Sequence, residues 1–588
     1  MDSKHVTEST SGQEDIQKTW WKEAIIYQIY PRSFQDSDGD GIGDLNGITS
    51  HLDYIQSLGV DIIWLNPIFL SPNDDNGYDI SDYREIMREF GTMEDFDRLL
   101  KEIHKREMRL VLDLVVNHTS DEHPWFEEAR KSRHNPYYNY YHWWPAEKGE
   151  PPLRLSYFDE EGNAWMYNKS TDSYYLHYFS RKQPDLNWEN PEVRQEIFDM
   201  MRFWFDKGID GFRMDSISLI AKDPSFPLID SKKYPDIFSF YAKEPRLHLY
   251  LHEMNRQVLS IYDCMSVGEG SAVMVDDVAK FVDPAREELN MLYHFDAARI
   301  RNTTLPDNPE SGIDYSLIAL KKMFTEWDKA VDKGWPSIYL GNHDQPRMVS
   351  RFGSDKDEFR ALSAKMLITF LLTMRGTPYW FAGDEIGMRN IRFDRIEDYN
   401  DIDTINRYKK AKAEGKDPQA VLDEQKETGR DNARTPFQWD RSPEAGFTAG
   451  TPWLKVNPDY TWINVADEEK DPTSILNYFK KVVSFRKENP SLIYGSYHLL
   501  DAENPQSYTF LRKTGADTYL IMLNFSPKAT ISTPGIDMSN AHVLLDNYGD
   551  RSHMAPQKDI TLRPFEAIVF QLNHPVYESF IDSLDLLE

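Results

Sequence analysis

Three carboxylic residues stand at the ends of short apolar runs. Asp215 lies in GFRMDS, Glu269 in MSVGEG, and Asp344 ends SIYLGNHD. Hydrolysis of a glycosidic bond requires two carboxyl groups, one protonated to supply a proton to the leaving oxygen and one ionised to meet the developing oxocarbenium ion. Any one of these residues alone is more typical of a helix cap or an ion-pair partner. Three of them, each at the end of an apolar run, favour hydrolysis of a glycosidic bond.

Eight short β-branched or aromatic runs alternate with longer amphipathic segments, and they predict the elements that position these carboxylates. Strands separated by helices form a parallel sheet, and eight such units predict an α/β fold, the (β/α)8 TIM barrel. The runs are nearly continuously apolar, as is typical of strands buried on both faces. Since the carboxyl ends of barrel strands share one face, residues far apart in the chain should converge there. The predicted strands are residues 24–31, 61–68, 109–118, 211–216, 265–270, 292–296, 337–344 and 377–385.

Three regions depart from this alternation. An aromatic and proline-rich stretch predicts a small domain inserted after the third strand, and a highly charged stretch predicts helical lid or rim structure. Near the C-terminus, short alternating strands predict an all-β sandwich domain. The predicted organisation is a disordered or flexible segment 1–19, barrel 20–117, inserted domain 118–187, barrel 188–490 with the lid-like stretch 389–429, C-terminal β domain 491–573 and acidic tail 574–588.

The charge of the chain disfavours several classes of partner. It has 97 acidic and 67 basic residues, with a formal net charge of −30. Such a surface works against nucleic-acid backbones and anionic lipids. Aromatic residues make up 13% of the chain, which suits stacking on sugar faces but equally suits an ordinary large core. We therefore expect a small neutral or cationic ligand and no nucleic-acid or membrane partner.

The sequence also bears on the compartment. The single cysteine, Cys264, cannot form an internal disulfide, so the fold does not depend on an oxidising environment. The first twenty residues are polar and lack the apolar core of a signal peptide, and the apolar run 366–374 is too short to span a bilayer. The expectation is a cytoplasmic protein.

Several stretches of the sequence resemble the α-amylase family of glycoside hydrolases. Its four short motifs are matched by DLVVNH (113–118), GFRMDS (211–216), VGEG (267–270) and GNHDQPR (341–347). With QPDLNW, YQIYPRSF, DDNGYDI and RDNARTPFQW, the chain is most similar to the branch that contains oligo-1,6-glucosidases, α-glucosidases and sucrose isomerases. The resemblance runs from about Trp20 to Leu572 and implies a retaining, exo-acting α-glucosidase on disaccharides and short oligosaccharides.

The resemblance implies a role for each carboxylate. Asp215 would attack the anomeric carbon, and Glu269 would protonate the leaving group and then activate water. Asp344 would bind the ring hydroxyls and stabilise the transition state without forming a bond. Arg213, two residues before Asp215 and so on the same strand face, would keep Asp215 ionised by charge pairing. The pKa of the nucleophile should then stay low, and that of the acid should rise.

The same resemblance implies a blind pocket for the terminal glucose. A paired Asp75 and Arg434 would hold its hydroxyls and limit cleavage to a nonreducing end. A lone histidine is more often a satisfied structural residue, but the motif positions of the two histidines here favour substrate contact. The residues implied to surround the glucose are Asp75, Tyr78, His118, Gln183, Arg213, His343 and Arg434.

The loop DSDGDGIGD (36–44) carries alternating acidic side chains and glycines, which suit a hard cation. It is not an EF-hand, because the twelfth position counted from Asp36 is Gly47 rather than Glu. The spacing alone is equally typical of a plain turn. Similar loops in the family bind a structural Ca²⁺ or Mg²⁺, and no organic cofactor is expected. The ligands that the resemblance implies are Asp36, Asp38, Asp40, the carbonyl of Ile42, and Asp44.

Two positions depart from the pattern of the branch. Oligo-1,6-glucosidases usually carry Val after the nucleophile and α-1,4-specific enzymes Thr, whereas this chain has Ser216. The linkage preference, α-1,6, α-1,4 or sucrose, therefore stays open. Sucrose isomerases tend to carry an aromatic residue after the acid/base and an Arg-Leu-Asp-Arg type run after the sixth strand, but this chain has Gly270 and HFDAARIRN (294–302). This difference favours hydrolysis over isomerisation.

Two other functions stay open at this point. The first is a sucrose isomerase or another glucosyl-transferring relative, which would use the same glucosyl-enzyme while excluding water. The second, remote, is a non-catalytic scaffold, against which the intact Asp215, Glu269 and Asp344 argue. The predicted oligomeric state is a monomer or a weak homo-oligomer.

Overall fold

Eight parallel strands form one sheet in which neighbours follow chain order and the last strand pairs with the first. This is the predicted (β/α)8 barrel, and each of the eight predicted strands is present. The barrel strands are β1 (Ile26–Ile29), β2 (Ile62–Leu65), β3 (Arg109–Val115), β4 (Gly211–Asp215), β5 (Met265–Glu269), β6 (Met291–Tyr293), β7 (Ser337–Ile338) and β8 (Thr377–Phe381).

The computed structural model describes residues 18–572 with gaps at 159–161, 235, 298–299, 301–314, 515–516, 537, 539–540 and 552–557. The predicted acidic tail and nearly all of the predicted segment 1–19 lie outside the described residues, as do residues 298, 299, 301 and 302. Among the described helices, none is both long enough and apolar enough to cross a membrane.

The barrel has one junction of a different kind. Parallel ladders join β1 to β2, β2 to β3, β3 to β4, β4 to β5, β5 to β6, β1 to β8 and β8 to β7. For example, Ile26 of β1 lies opposite both Ile62 of β2 and Tyr379 of β8. No ladder joins β6 to β7 among the described residues. Side chains connect them instead, because the Ser337 hydroxyl donates to the Leu292 carbonyl at 2.7 Å and the Tyr339 hydroxyl donates to the His294 carbonyl at 2.5 Å.

Alternate residues of the barrel strands enter two separate apolar clusters, because successive side chains of a strand point to opposite faces. One set packs inside the barrel and the other packs under the surrounding helices. The inner set includes Ile26, Ile62, Trp64, Val111, Met265, Val267, Met291, Tyr293 and Tyr379. The outer set includes Tyr27, Ile29, Ile63, Leu65, Leu110, Leu112, Phe212 and Met214.

Several helices begin at a residue whose side chain satisfies one of their first free N–H groups. Thr92 and Asp95 form a reciprocal capping box, and Asn190 caps a helix whose first residue is Pro191. That second helix ends where Gly208 takes the left-handed conformation. The α-helices are Trp20–Glu23, Leu45–Ser50, Leu52–Ser57, Met93–Lys105, Pro124–Ala129, Pro191–Lys207, Arg246–Gln257, Ala279–Val282, Leu317–Ala330, Met348–Phe352, Arg360–Thr373, Ile402–Ala413, Pro418–Thr428, Asp431–Arg434, Val465–Glu468, Ile475–Glu488 and Ser491–Tyr494.

The three regions outside the alternation each have their own structure. The predicted insertion contains a three-stranded antiparallel sheet, and the lid-like stretch contains the helices Ile402–Ala413 and Pro418–Thr428. The C-terminal region forms a five-stranded and a two-stranded antiparallel sheet. A strand pair Phe69–Leu70 and Asp82–Ile86 precedes the insertion. The remaining strands are Trp143–Pro145, Trp165–Asn168, Ser173–Leu176, Ser496–Leu500, Ser507–Thr514, Asp517–Asn524, Thr530–Ser532, His542–Asp546, Ile560–Leu562 and Ala567–Leu572.

Several predicted strands are too long at their carboxyl ends. The run 337–344 forms a strand only over Ser337–Ile338, and the run 109–118 ends as a strand at Val115. The polar residues of these runs leave the sheet at the barrel rim, where their side chains bond to other loops. The sequence pattern does not mark that point, because the runs stay buried beyond the last ladder pair.

Candidate active site

The carboxyl ends of four barrel strands meet in one buried cluster of charge. Asp215 and Glu269 are the last residues of the neighbouring strands β4 and β5. Asp113 lies on β3, opposite Arg213 of β4. Asp344 follows β7 in the loop at the rim. The structure thus brings together the three carboxylates predicted to be catalytic, and it adds a fourth.

Arg213 is the centre of this cluster. Its Nη1 lies 2.7 Å from Asp113 Oδ1 and 2.8 Å from Asp215 Oδ1, and its Nη2 lies 2.7 Å from Glu269 Oε2. The guanidinium is buried over the ring of Trp64, with 5.3 Å from Cζ to the centroid. One positive charge is therefore shared among three carboxyl groups.

Burial and this charge imbalance raise the pKa of both catalytic candidates. The pKa of Glu269 is raised to about 8, mainly by burial and further by Asp215, although Arg213 opposes the shift. The pKa of Asp215 is raised to about 6, again mainly by burial and opposed by Arg213. The expectation of a low pKa for Asp215 was therefore wrong, because its one arginine is shared. The predicted order holds, since Asp215 ionises first and Glu269 keeps its proton.

The backbone at Ser216 turns sharply after the candidate nucleophile. Ser216 has φ 43°, in the left-handed region that non-glycine residues rarely adopt. In this conformation its N–H donates to Glu269 Oε2 at 2.9 Å. Ser218 continues the connection by donating its hydroxyl to the carbonyl of Ser271 at 2.6 Å. The loops after β4 and β5 are thereby tied together.

A chain of hydrogen bonds between uncharged side chains leads from Gln28 to Asp113 of the cluster. The amide of Gln28 donates to His343 Nδ1 at 2.9 Å, which leaves Nε2 protonated and 2.7 Å from the Tyr78 hydroxyl. Tyr78 in turn donates to Asp113 Oδ2 at 3.0 Å. Burial lowers the pKa of His343 to about 3, so the ring stays neutral. Two predicted substrate residues, Tyr78 and His343, thus also connect to the catalytic cluster.

A second cluster of charge lies on the other side of Asp344. Arg434 Nη2 lies 2.9 Å from Asp344 Oδ1. Arg430 reaches three carboxylates, with 3.2 Å from Nη1 to Asp344, 3.4 Å from Nη2 to Asp75 and 2.5 Å from Nη2 to Asp401. The predicted pair of Asp75 with Arg434 was wrong, because the ion-pair partner of Asp75 is Arg430, one helical turn earlier.

The carboxyl groups of this second cluster differ in their ionisation. Burial raises the pKa of Asp344, but the charges around it, including Arg430 and Arg434, outweigh that effect and hold the pKa below its ordinary value. The pKa of Asp401 is lowered in the same way, against the effect of burial. Burial raises the pKa of Asp75 to about 7, because the more distant arginines offset it only in part.

His118 and Gln183 line the same pocket from the insertion side. Gln183 donates to Asp75 Oδ2 at 3.2 Å, and His118 Nε2 donates to the Tyr78 carbonyl at 3.0 Å. Burial lowers the pKa of His118 to about 3, so it is a neutral donor. All the residues predicted to surround the glucose therefore lie in this connected network.

Several residues of the site were not assigned a role from the sequence. Arg430 lies in RDNARTPFQW, so its motif was recognised but the wrong arginine was selected. Asp113 begins DLVVNH, so its motif was recognised but the residue was given no function. Asp401 and Gln28 carried no separate signal, because an aspartate before a helix and a glutamine in a strand are common.

The acidic loop at 36–44 contains a group of three carboxylates. One oxygen each of Asp36, Asp38 and Asp40 lies within 4.8 Å of the others, a spacing compatible with a shared cation. Asp44 is not part of this group. Its carboxylate accepts hydrogen bonds from Ser37 and, at 2.7 Å, from the N–H of Gly47, so it caps the helix Leu45–Ser50.

Gly270, which follows Glu269, has no room for a side chain. A Cβ there would lie 2.6 Å from the carbonyl oxygen of Tyr293 and 2.9 Å from Leu292 Cδ2. The N–H of Gly270 also donates to that carbonyl at 2.9 Å. An aromatic side chain at this position would require the loop after β5 to move.

Comparison with known proteins agrees with this geometry. The family model described as alpha amylase, catalytic domain, matches residues 28–495. The oligo-1,6-glucosidase of Parageobacillus thermoglucosidasius is 51% identical over 571 residues, covering 95% of this chain and 100% of that protein. The oligo-1,6-glucosidase of Bacillus cereus is 49% identical over 567 residues, with coverage of 95% and 100%. The solved structure of the isomaltulose synthase SmuA from Protaminobacter rubrum superposes with a TM-score of 0.89 at 43% identity, covering 95% of this chain and 100% of that one.

Proposed function

This chain belongs to the α-amylase family and is a glycoside hydrolase of the oligo-1,6-glucosidase and α-glucosidase type, and we propose that Asp215 and Glu269 perform its reaction as nucleophile and acid/base. The observation that carries the assignment is the shared Arg213, which bonds both groups while the pKa of Asp215 stays near 6 and that of Glu269 near 8. Between these values one group is ionised and the other protonated, as the reaction requires.

The reaction then proceeds in two displacements with net retention. In the first, an Asp215 oxygen bonds to the anomeric carbon while the glycosidic C–O bond breaks, and the Glu269 proton moves to the leaving oxygen. In the second, ionised Glu269 takes a proton from water, the water oxygen bonds to the anomeric carbon, and the ester bond to Asp215 breaks. Glucose leaves, and both side chains return to their starting states.

The second charge cluster supports exo cleavage at a nonreducing end. Arg430, Arg434 and Asp75 crowd the side of the site away from Arg213, and Asp344 lies between the two groups. These charged side chains present donors and acceptors to the hydroxyls of one terminal glucose. Asp344, ionised because of the two arginines, would also stabilise the positive charge of the transition state.

We propose that short α-glucosides of the isomaltose, maltose or sucrose type are the substrates. Two curated relatives named oligo-1,6-glucosidase support an α-1,6 linkage. The alternative is transfer or isomerisation, since the structural relative is an isomaltulose synthase. The closed space at Gly270 supports hydrolysis, because no aromatic side chain can stand there to hold a departing fructose.

The product time course tests the proposal. Purified enzyme is incubated separately with isomaltose, maltose and sucrose, and the products are resolved by chromatography and by proton NMR. We expect free glucose that appears first as the α-anomer, with the fastest release from isomaltose. Trehalulose or isomaltulose from sucrose would instead assign the chain to the isomerases, and β-glucose as the first product would exclude Asp215 as a nucleophile.

A structural cation and a cytoplasmic location are also proposals. Asp36, Asp38 and Asp40 fit a hard cation such as Ca²⁺ or Mg²⁺, and the Ile42 carbonyl would add a further oxygen. Asp44 would be a further ligand, because its carboxylate retains free acceptor sites beside the hydrogen bonds from Ser37 and Gly47. A bound cation would stabilise the loop and takes no part in the reaction.

A further inference from the structure

The lid-like stretch contacts the site through the start of its first helix. Asp401 caps the helix Ile402–Ala413 by accepting from the Thr404 N–H at 3.0 Å. The same carboxylate accepts from Nε of Arg430 at 2.7 Å and is fully buried. The helix is therefore fixed to the guanidinium that also meets Asp75 and Asp344.

A second contact connects this helix to the inserted region. Asn406, on the helix that Asp401 caps, donates its side-chain amide to the carbonyl of Phe158 at 2.8 Å. The ring of Phe158 lies over the guanidinium of Arg430, with 4.8 Å from Cζ to the ring centroid. One helix thus contacts Arg430 directly through Asp401 and indirectly through Asn406 and Phe158.

We propose that Asn406 is a positioning residue that holds Phe158 over Arg430. The guanidinium bonds carboxylates at its edges and lies against the ring of Phe158 on its face, and an arginine side chain has several rotatable bonds. An aromatic ring over the face adds a cation–π attraction and removes space into which the side chain could rotate. Without the Asn406 bond, the backbone at Phe158 loses an anchor, and Arg430 loses its fixed position between Asp75 and Asp344.

The inference rests on the proposed function, because Arg430 matters for turnover only if it faces the terminal glucose. Asn406 itself is half-buried on the helix and carries no charge. Its contribution should appear as weaker substrate binding, while the acid/base pair around Arg213 remains intact.

The test compares Asn406→Leu, which keeps the size but removes the donor, with the matched control Gln419→Leu. Gln419 is an exposed amide on the second helix of the stretch and donates to Asp423 at 3.0 Å, away from the site. We expect the KM for isomaltose to rise about five- to tenfold in Asn406→Leu, the effect of one lost hydrogen bond, with kcat within about twofold. Gln419→Leu should leave both constants unchanged.

A double mutant separates positioning from a general loss of structure. If Asn406 acts through Arg430, adding Asn406→Leu to Arg430→Met should not raise KM further. Independent, additive effects, or equal effects of Asn406→Leu and Gln419→Leu, would overturn the inference. If Asn406→Leu does not fold, Asn406→Ser replaces it in both comparisons. Its side chain is smaller, and its hydroxyl is too short to reach the Phe158 carbonyl. Absence of glucose release by the wild-type enzyme would instead reject the proposed function.

Discussion

Two charge clusters lie on opposite sides of Asp344, and they hold their carboxyl groups in different states. Around Arg213, one arginine bonds three carboxyl groups. In the second cluster, Arg430 and Arg434 together meet the carboxylates of Asp344 and Asp401, and Arg430 also meets Asp75. Both clusters are buried, and burial raises the pKa of every carboxyl group in them, so the nearby positive charges that oppose burial set how far each pKa moves.

The first cluster has a deficit of positive charge and therefore retains a proton. Its acid, Glu269, has its pKa raised to about 8, although it bonds an arginine. In the second cluster the pKa of Asp344 and that of Asp401 are lowered, so both carboxylates are negative at neutral pH, whereas burial raises the pKa of Asp75 to about 7. The proposed proton-transferring site and the proposed glucose-binding site thus use the same residue types, and the balance between burial and nearby positive charge differs from one carboxyl group to the next.

Asp215→Asn removes the nucleophile from the first cluster. We expect hydrolysis of isomaltose to fall by about 10⁴-fold or more, since no covalent intermediate can form. The melting temperature should stay close to that of the wild type, because the amide keeps the size of the side chain. Substantial residual turnover in verified pure protein would reject the assignment of Asp215.

Glu269→Gln removes the transferable proton. The loss of kcat/KM should reach about 10³-fold on isomaltose, which has a poor leaving group. On an activated aryl glucoside the glycosylation step needs little proton donation, so the loss should be much smaller. Equal losses on both substrates would contradict the acid role, and circular dichroism provides the folding control.

Arg430→Met breaks the second cluster while retaining an unbranched side chain. It leaves Asp75 and Asp401 with less compensating charge, so we expect kcat/KM for isomaltose to fall about a hundredfold, the usual effect of removing one partner of a buried charged pair. Lys426→Met is the matched control, because that half-buried cation pairs with Asp394 outside the site. An unchanged KM in Arg430→Met would show that the second cluster does not bind the glucose.

The pH dependence of kcat/KM reports the first cluster. Below about pH 6 the Asp215 carboxylate takes up a proton and cannot attack, and above about pH 8 Glu269 loses the proton it must donate. The profile should be bell-shaped between these limits, falling about tenfold per pH unit outside them. Glu269→Gln should abolish the alkaline limb and retain the acid limb. An alkaline limb that persists in this variant would belong to another group.

Cation removal should have the smallest effect and should not touch either cluster. If Asp36, Asp38 and Asp40 hold a cation, chelation removes its binding free energy and lowers the melting temperature by about 1 °C per kcal/mol lost, because a chain of this length has a large entropy of unfolding. The rate of the enzyme that is still folded should not change. Asp38→Ala, which removes the ligand oxygen, should abolish this response to chelator, and a melting temperature that is unchanged after verified metal removal would contradict the stabilising role.

The barrel and its catalytic carboxylates could be predicted because their signals are local. Buried strands read as short apolar runs, and residues such as Asp215 and Glu269 directly follow those runs. The residue at which each strand ends could not be predicted, because it depends on where hydrogen-bonded pairing with the neighbouring strands stops. The β7 run illustrates this, since it stays buried up to His343 although pairing ends at Ile338.

The partner of Asp75 shows the limit of motif reading. Arg430 and Arg434 are four residues apart, on either side of one short helical turn, so both face the same direction. Sequence similarity identified the stretch but could not decide which guanidinium reaches which carboxylate. That choice depends on distances of a few ångströms between Asp75, Asp344 and Asp401, which come from three different loops.

The sequence by itself determined the eight-strand repeat, the residue types at each strand end and the identity of the candidate acid and nucleophile. Only the tertiary structure decided their ionisation, because the pKa of a buried group depends on its burial and on all the charges packed around it, which come from neighbours in the chain and from distant segments. Arg213 shared among three carboxyl groups, and Arg430 held between Asp75, Asp344 and Asp401, are properties of packed loops from distant segments.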